Sequence, residues 1–151
     1  MTEIKRILVP TDFSEPADAA LTYAIDLAAK LGARVSLIHV FDDPFANGVY
    51  SGEYIPMPVD MRAEIIADLR RKLAEAVARR GHSEMNPEVL IGSTARTIVD
   101  GAADRNADLI VMGTHGRGGM AHLLLGSVAE RVVRTASCPV LTIRCKAAAT
   151  H

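Results

Sequence analysis

Five apolar runs of strand length alternate along the chain with four longer segments of helical periodicity. The runs expected to form strands are residues 6–10, 34–40, 87–92, 107–113 and 139–145. The segments expected to form helices are residues 14–32, 59–81, 94–106 and 127–137. Strands that alternate with helices predict parallel pairing through right-handed crossovers. The predicted fold class is therefore α/β, a doubly wound five-stranded parallel sheet with helices on both faces.

The first two helices carry end signals and an apolar stripe. Ser14 is placed as the N-cap of the first helix, Pro16 lies near its first turn, and Gly32 lies just beyond its end. In the second helix, apolar residues recur in steps of four and predict one face packed on the core. The residues of this stripe are Met61, Ile65, Leu69, Leu73 and Val77.

Length and composition bound the domain organisation. A chain of 151 residues, 49% hydrophobic and 23% charged, is long enough for one packed domain. We expect that domain over residues 1–145 and a frayed tail over 146–151. Residues 41–58 contain three prolines and two glycines and are expected to form one long loop.

The charge pattern argues against nucleic acid and membrane partners. The net charge is −1, so no overall field attracts a polyanion. The basic residues between Arg62 and Arg80 are interleaved with Glu64, Asp68 and Glu75, as on a solvated helix face. No run approaches the ~20 apolar residues of a membrane span, and a strand-like run near the first residue predicts no signal peptide.

The two cysteines bear on the expected compartment. Cys138 and Cys145 are predicted to share the last strand, where residues rise ~3.3 Å each and alternate between faces. A separation of more than ~20 Å prevents a disulfide between them. Two reduced thiols predict a cytoplasmic protein.

The carboxyl ends of the predicted strands carry the candidate chemistry. Open parallel sheets bind ligands beyond these ends, where the strand order reverses. The segments expected at this edge are Pro10–Asp12, Val40–Asp42, Gly92–Ser93 and the glycine-rich loop 113–127. This placement makes the glycine-rich loop a candidate phosphate site.

Two familiar phosphate-binding patterns fit this loop poorly. It lacks G-x-x-x-x-G-K-[ST], which excludes a nucleoside triphosphate loop with a lysine. Gly116, Gly118 and Ala121 match G-x-G-x-x-A nominally, but they follow the wrong strand for a dinucleotide fingerprint. The helix also begins late, and Arg144 stands near the end of the next strand, where an acidic residue is needed.

A third pattern fits better: Gly113, two residues, Gly116, nine residues, then Gly126 and Ser127. Glycines offer main-chain N–H groups to an anion without shielding, and the first turn of the following helix attracts phosphate. The spacing lies between "DLIVMG" and "SVAERVVRTASCPVLTI", and the chain opens with "ILVPTDFSEPADAAL". In these motifs, over nearly its whole length, the sequence resembles the ATP-binding branch of the universal stress protein family.

The resemblance implies the strand order 3-2-1-4-5, an ATP ligand with Mg²⁺ or Mn²⁺, and a homodimer. It assigns Asp12 to the adenosine end of the nucleotide and gives Val40 a role through its main chain, near adenine. Motif and resemblance together give the candidate nucleotide-binding residues Pro10, Thr11, Asp12, Val40, Met112, Gly113, His115, Gly116, Arg117, Gly118, Gly126, Ser127 and Val128.

Structural explanations compete at two of these positions. Ser127 and Glu130 form the S-x-x-E pattern of a capping box, which explains both residues without a ligand. Asp12 has an alternative role as a turn residue in front of Ser14. Asp12 and Asp42 are candidate ligands of a divalent metal, and both fit equally well as turn residues.

The charged and imidazole side chains of the loop are also open to two interpretations. Arg117 either reaches the phosphates or is a solvent-exposed arginine. His115 and His122 have no carboxylate or cysteine at ligand spacing, so they fill the loop or lie beside the phosphates rather than bind a metal.

Three functions remain in competition. The first is an ATP-binding sensor or adaptor, and the second is an ATPase or phosphotransferase at the same site. Fast catalysis is disfavoured because the loop has no lysine and no clear general base faces it. The third is a nucleotide-free dimeric module, against which the intact glycine pattern argues. The last strand, Val140, Leu141, Thr142 and Ile143, has no proline inside it and predicts an edge that pairs with its own copy.

Overall fold

The computed structural model describes residues 2–43, 56–82, 85–115 and 125–145. Its elements in chain order are β1 (Arg6–Pro10), α1 (Glu15–Leu31), β2 (Arg34–Phe41), α2 (Val59–Ala78), β3 (Glu88–Ile91), α3 (Thr94–Asp104), β4 (Leu109–Gly113), α4 (Ser127–Thr135) and β5 (Val140–Ile143). The strands form one sheet in the order β3-β2-β1-β4-β5. All four pairings are parallel, which confirms the predicted fold class and strand order.

The sheet has an apolar core on each side. On one side α1 and α2 pack on alternate residues of the central strands, among them Ile7, Val9 and Val111. On the other side α3 and α4 cover the residues between these, such as Leu8 and Ile110. Leu8 and Val9 are both fully buried, so β1 is covered on both faces, as the continuous apolar run of a central parallel strand predicts.

The ends of α1 follow the sequence signals. Ser14 is the N-cap, and its hydroxyl accepts a hydrogen bond from Ala17 N at 3.3 Å. Gly32 is the C-cap with φ +66°, a left-handed conformation that favours glycine. The Ser14 cap therefore fixes the start of α1 directly after the turn that follows β1, and Gly32 fixes the end of the helix.

The apolar stripe predicted on α2 reaches the core only in its second half. Leu73 and Val77 are buried, but Met61 is 50% exposed. Ile65 and Leu69 are half-buried. The prediction was therefore wrong for the first turns of α2, because helical periodicity marks a face without showing how far along the helix a neighbour covers it.

Several predicted boundaries also shift. The last strand spans only Val140–Ile143, so Cys138 and Cys145 flank it and the prediction that they share it was wrong. The fourth strand begins at Leu109 rather than at residue 107, because Ala107 N donates to Ala102 O at 2.9 Å and closes the end of α3. Helix α4 ends at Thr135 because Ala136 adopts an extended backbone with φ −65° and ψ 143°.

Asp108 ties the start of β1 to the start of β4. Lys5 N and Arg6 N each donate to Asp108 Oδ2 at 2.9 Å, and Asp108 N donates to Arg6 O at 2.8 Å. The hydrogen bonds from the Lys5 and Arg6 main chain hold the pKa of the Asp108 carboxyl below its ordinary value of 3.8. The ionised carboxylate therefore stabilises the folded state.

Acid is expected to remove the stabilisation that Asp108 supplies. Because its folded-state pKa is lowered, the contribution is complete above the ordinary value of 3.8 and is lost as pH falls through the folded-state pKa. Asp108→Asn should therefore melt below the parent at neutral pH, and the gap should close in acid. Melting curves of both proteins from neutral pH down to about pH 2.5 measure this gap. A gap that stays constant over that range would contradict the assignment.

Candidate functional site

The carboxyl ends of β1 and β4 lie side by side where the strand order reverses. At this edge the two ends of the glycine-rich loop are joined, since Gly126 N donates to Thr114 O at 2.6 Å. Thr114 N in turn donates to Ile143 O at 3.0 Å, which fixes the loop to β5. The first and last parts of the glycine pattern are thus brought together at the N-terminus of α4.

The capping box predicted at Ser127 is not formed. Gly126 is the N-cap of α4 and makes no side-chain cap hydrogen bond, so Ser127 is the first helical residue rather than the cap. Glu130 pairs instead with Arg134, with 2.6 Å between Oε1 and Nη2. Ser127 is exposed at the helix N-terminus, where main-chain N–H groups have no partner within the helix.

Gly113 has a packing role that the sequence did not reveal. A Cβ added there would lie 2.8 Å from Pro16 Cβ and 2.9 Å from the Pro16 carbonyl carbon. These distances are shorter than normal carbon–carbon contacts, so only glycine lets the end of β4 approach the first turn of α1 this closely. The packing explains Gly113 independently of any ligand.

Asp12 forms the turn between β1 and α1. Its Oδ1 accepts a hydrogen bond from Ser14 N at 3.0 Å and a short one from the Ser14 hydroxyl. Thr11 Oγ1 accepts from Phe13 N at 3.0 Å. The turn role considered for Asp12 is thus present, and its side chain is half-buried. Its role toward a nucleoside stays a prediction.

Sequence reasoning missed a group of side chains beneath this turn. His39 Nδ1 lies 2.7 Å from Thr11 O, and its ring packs on Phe13 with 4.8 Å between centroids. Phe13 has φ +64°, an uncommon conformation for a bulky residue, and Lys72 Nζ lies 6.0 Å from its ring centroid. The one signal in the sequence was a histidine within the otherwise apolar end of β2.

Several predicted site residues have buried side chains. Val40 is 8% exposed and Met112 is 6% exposed, and both pack in the core between the sheet and α3 and α4. Pro10 is also buried, and Val128 packs against the same core. Val40 and Met112 therefore reach a ligand in the crevice only through their main chains.

His115 presents a polar atom without a partner. Its Nδ1 lies 3.1 Å from Thr114 Oγ1, whereas its Nε2 is buried and has no hydrogen-bond partner among the described residues. Buried polar side-chain atoms are normally hydrogen-bonded, so a hydrogen-bond partner beside Nε2 is expected. The predicted loop residues Gly116, Arg117, Gly118 and His122 lie outside the described residues.

The roles of Asp12 and Asp42 toward a metal stay predictions. Asp42 is exposed, and its Oδ2 accepts from Thr94 Oγ1 at 3.3 Å. Within residues 2–43, 56–82, 85–115 and 125–145, no three His, Cys, Asp or Glu residues cluster as metal ligands. Mg²⁺ is usually bound by one or two carboxylates together with substrate phosphates, so a triphosphate would supply most of its ligands here.

The two thiols are poor nucleophiles. Cys138 and Cys145 are both free, and burial raises the pKa of each above the ordinary value of 9.0. The reactive thiolate form is therefore scarce at neutral pH. This argues against covalent chemistry at either residue.

A groove of about 570 Å³ lies elsewhere, between β3 and α3. It is open, and its charged residues are partly paired, with Arg105 Nη2 2.9 Å from Glu88 Oε2. Since β3 is at the far edge of the sheet from β4, this groove is separate from the crevice at the strand-order reversal. In the described part of the chain, no helix is both long and apolar enough to cross a membrane.

The fold and the crevice define a doubly wound α/β protein with a candidate ligand site at the β1–β4 switch point. A model of the universal stress protein family matches residues 3–144. Universal stress protein MJ0531 of Methanocaldococcus jannaschii is 36% identical over 148 residues, which span 93% of this chain and 82% of that protein. The chain belongs to the universal stress protein family.

Solved structures of the family share the fold. The structure of MJ0577, a universal stress protein of M. jannaschii, aligns with a TM-score of 0.79 at 28% identity. The alignment covers 97% of this chain and all of that one. A universal stress protein in complex with cAMP aligns with a TM-score of 0.66 at 23% identity, over 96% of this chain and 100% of its own. At 23% identity, this alignment shows only that the two proteins share a fold.

Proposed function

We propose that this protein binds ATP, with Mg²⁺ or Mn²⁺, in the crevice between β1 and β4 and acts as a cytoplasmic sensor or adaptor. The observation that carries the proposal is the hydrogen bond between Gly126 N and Thr114 O. It closes the glycine-rich loop so that both ends of the motif lie at the N-terminus of α4. A helix N-terminus with unpaired N–H groups is a ready site for phosphate.

The surroundings of this helix end support a triphosphate there. Ser127 is exposed and not used as a cap, so its hydroxyl is available to an acceptor. The buried Nε2 of His115 lacks a hydrogen-bond partner among the described residues, and a phosphate oxygen would accept from it when Nε2 carries the proton. Asp12 follows β1, the strand next to β4, and we propose that it contacts the nucleoside.

Mass spectrometry of the purified protein after denaturation tests the proposal directly. Release of an adenine nucleotide, followed by calorimetric titration of the stripped protein with ATP, is the expected result. Tripolyphosphate titrated in parallel reports on the phosphate end alone. A stripped, folded protein that binds neither ATP nor tripolyphosphate would favour the nucleotide-free interaction module instead.

We expect hydrolysis to be slow, well below the median enzyme turnover of about 10 per second. The glycine-rich loop contains no lysine, and Asp12 is engaged with Ser14 rather than oriented as a base. A multiple-turnover phosphate-release assay with magnesium measures the rate. Ordinary enzyme rates that disappear in Ser127→Ala or Asp12→Ala would replace the adaptor with an ATPase or phosphotransferase.

We also propose a homodimer formed through β5. This strand is at the sheet edge, and all four of its residues are only half-buried in the single chain. Pro139 O accepts from Ile110 N of β4, and Ile143 O accepts from Thr114 N directly after β4. By alternation, Val140 and Thr142 direct their main-chain groups outward.

Light scattering at micromolar concentration is expected to give twice the mass of the chain. Thr142→Pro should shift the mass toward the monomer, because it removes an outward N–H and leaves the pairing with β4 intact. A parent protein of monomeric mass would contradict the proposed dimer.

A further inference from the structure

The main chain of Val40 points toward the turn that follows β1. Thr11 N donates to Ile38 O at 2.8 Å, so Ile38 directs its polar groups toward β1. Gly92 N donates to Phe41 O at 3.1 Å, so Phe41 directs its polar groups toward β3. Because successive residues of a strand alternate, Val40 presents its N–H and C=O on the same side as Ile38. That side faces the turn after β1, at the carboxyl edge where the candidate site lies, since the register between β1 and β2 ends at Ile38.

In regular parallel pairing, the Val40 N–H group would be hydrogen-bonded to the neighbouring strand. A residue that donates to Ile38 O in a parallel ladder accepts, through its own carbonyl, from the N–H of Val40. Thr11 N makes the first of these bonds, to Ile38 O. The second bond, from Val40 N to Thr11 O, is not formed among the described residues. The Thr11 carbonyl oxygen lies 2.7 Å from His39 Nδ1 instead. Since a carbonyl only accepts, His39 Nδ1 must carry the proton.

We propose that His39 is a positioning residue for nucleotide selection: by holding the Thr11 carbonyl, it leaves the Val40 N–H available to the base. Packing reinforces this arrangement, because the His39 ring lies against Phe13 at 4.8 Å between centroids. Phe13 in turn lies beneath Lys72 Nζ, at 6.0 Å. The imidazole thus acts through both its proton and its ring on the turn that carries Asp12.

The chemistry of Val40 then specifies the base, an inference that rests on the proposed ATP site. A main-chain N–H beside a C=O matches adenine, whose N1 accepts and whose 6-amino group donates. Hypoxanthine presents the reverse, with a donor at N1 and an acceptor at O6. The site should therefore prefer ATP to ITP, and His39 should control that preference without touching either nucleotide.

Two variants separate the proton of His39 from its ring. His39→Phe keeps a ring against Phe13 but has no donor, so the Thr11 carbonyl should turn to the Val40 N–H. We expect ATP affinity to fall about three- to tenfold and the preference over ITP to fall with it. Tripolyphosphate affinity should not change. His39→Asn keeps an N–H near the position of Nδ1 and should stay close to the parent in affinity and preference.

Amide hydrogen exchange of Val40 in the nucleotide-free protein is a test that does not depend on ATP binding. The amide should exchange rapidly in the parent and in His39→Asn, and slowly in His39→Phe. A parent that binds no ATP would remove the proposed function, while the exchange data still report on His39. A slow Val40 amide in the parent would overturn the inference. So would a folded His39→Phe with the parent's preference, or a His39→Asn that loses as much as His39→Phe.

Discussion

Gly126→Val is expected to lose ATP binding, by about a hundredfold or more in affinity, and to melt like the parent without nucleotide. Gly126 has φ −71° and ψ 166°, which any residue adopts, so the backbone does not require glycine there. Its N–H bond to Thr114 O is also retained in the variant. The expected loss therefore comes from a branched side chain placed where the phosphates approach the first turn of α4.

Ser127→Ala tests the same site with a smaller expected loss of ATP affinity. It should weaken ATP binding by about 1.5–3 kcal/mol, the range for a hydrogen bond to a charged group. Because Ser127 is not the N-cap, stability should change by no more than about 0.5 kcal/mol. Calorimetric titration after a melting curve measures both effects. A folded Gly116→Val, Gly126→Val double variant that binds ATP like the parent would contradict the phosphate site.

Gly113→Ala is expected to destabilise the fold by about 1–3 kcal/mol, even without nucleotide. The new Cβ would lie 2.8 Å from Pro16 Cβ and 2.9 Å from the Pro16 carbonyl carbon. Neither atom is at the end of a flexible side chain, so β4 and α1 must move apart. Urea unfolding at neutral pH gives the difference in free energy of unfolding.

Gly126→Ala is the matched control, since it changes the last glycine of the same motif at a position with unstrained dihedral angles. It should unfold at nearly the parent's urea concentration. If Gly113→Ala unfolds like the parent yet binds ATP more weakly, the packing explanation for Gly113 is wrong and the residue serves the ligand.

Periodicity predicted the alternation of strands and helices because each element repeats a burial pattern along its own length. It could not predict the order 3-2-1-4-5, which came from the family resemblance. Met61 shows a second limit, since its place in a regular stripe did not reveal that its side chain is 50% exposed. Such facts depend on contacts between elements rather than within them.

The location of the candidate site could be predicted from the sequence, but its contacts could not. Glycine spacing identified the loop, but S-x-x-E at Ser127 fits two helix registers that differ by one residue, and only the extended backbone of Gly126 distinguishes them. His39 was missed because its partner Thr11 is 28 residues away in the sequence. Gly113 was assigned to phosphate chemistry because no sequence signal near it indicates that Pro16 packs against it.

The central position of β1 has a consequence during synthesis on the ribosome. The strand emerges first, but its β4 neighbour, attached through Asp108, follows 102 residues after Arg6. At 5–20 residues per second the nascent chain waits about 5–20 s with one side of its central strand unpaired. A largely apolar strand with an unpaired edge is a template for association with other chains. The nascent protein is therefore most exposed to aggregation, and most in need of chaperone protection, before residue 113 leaves the exit tunnel.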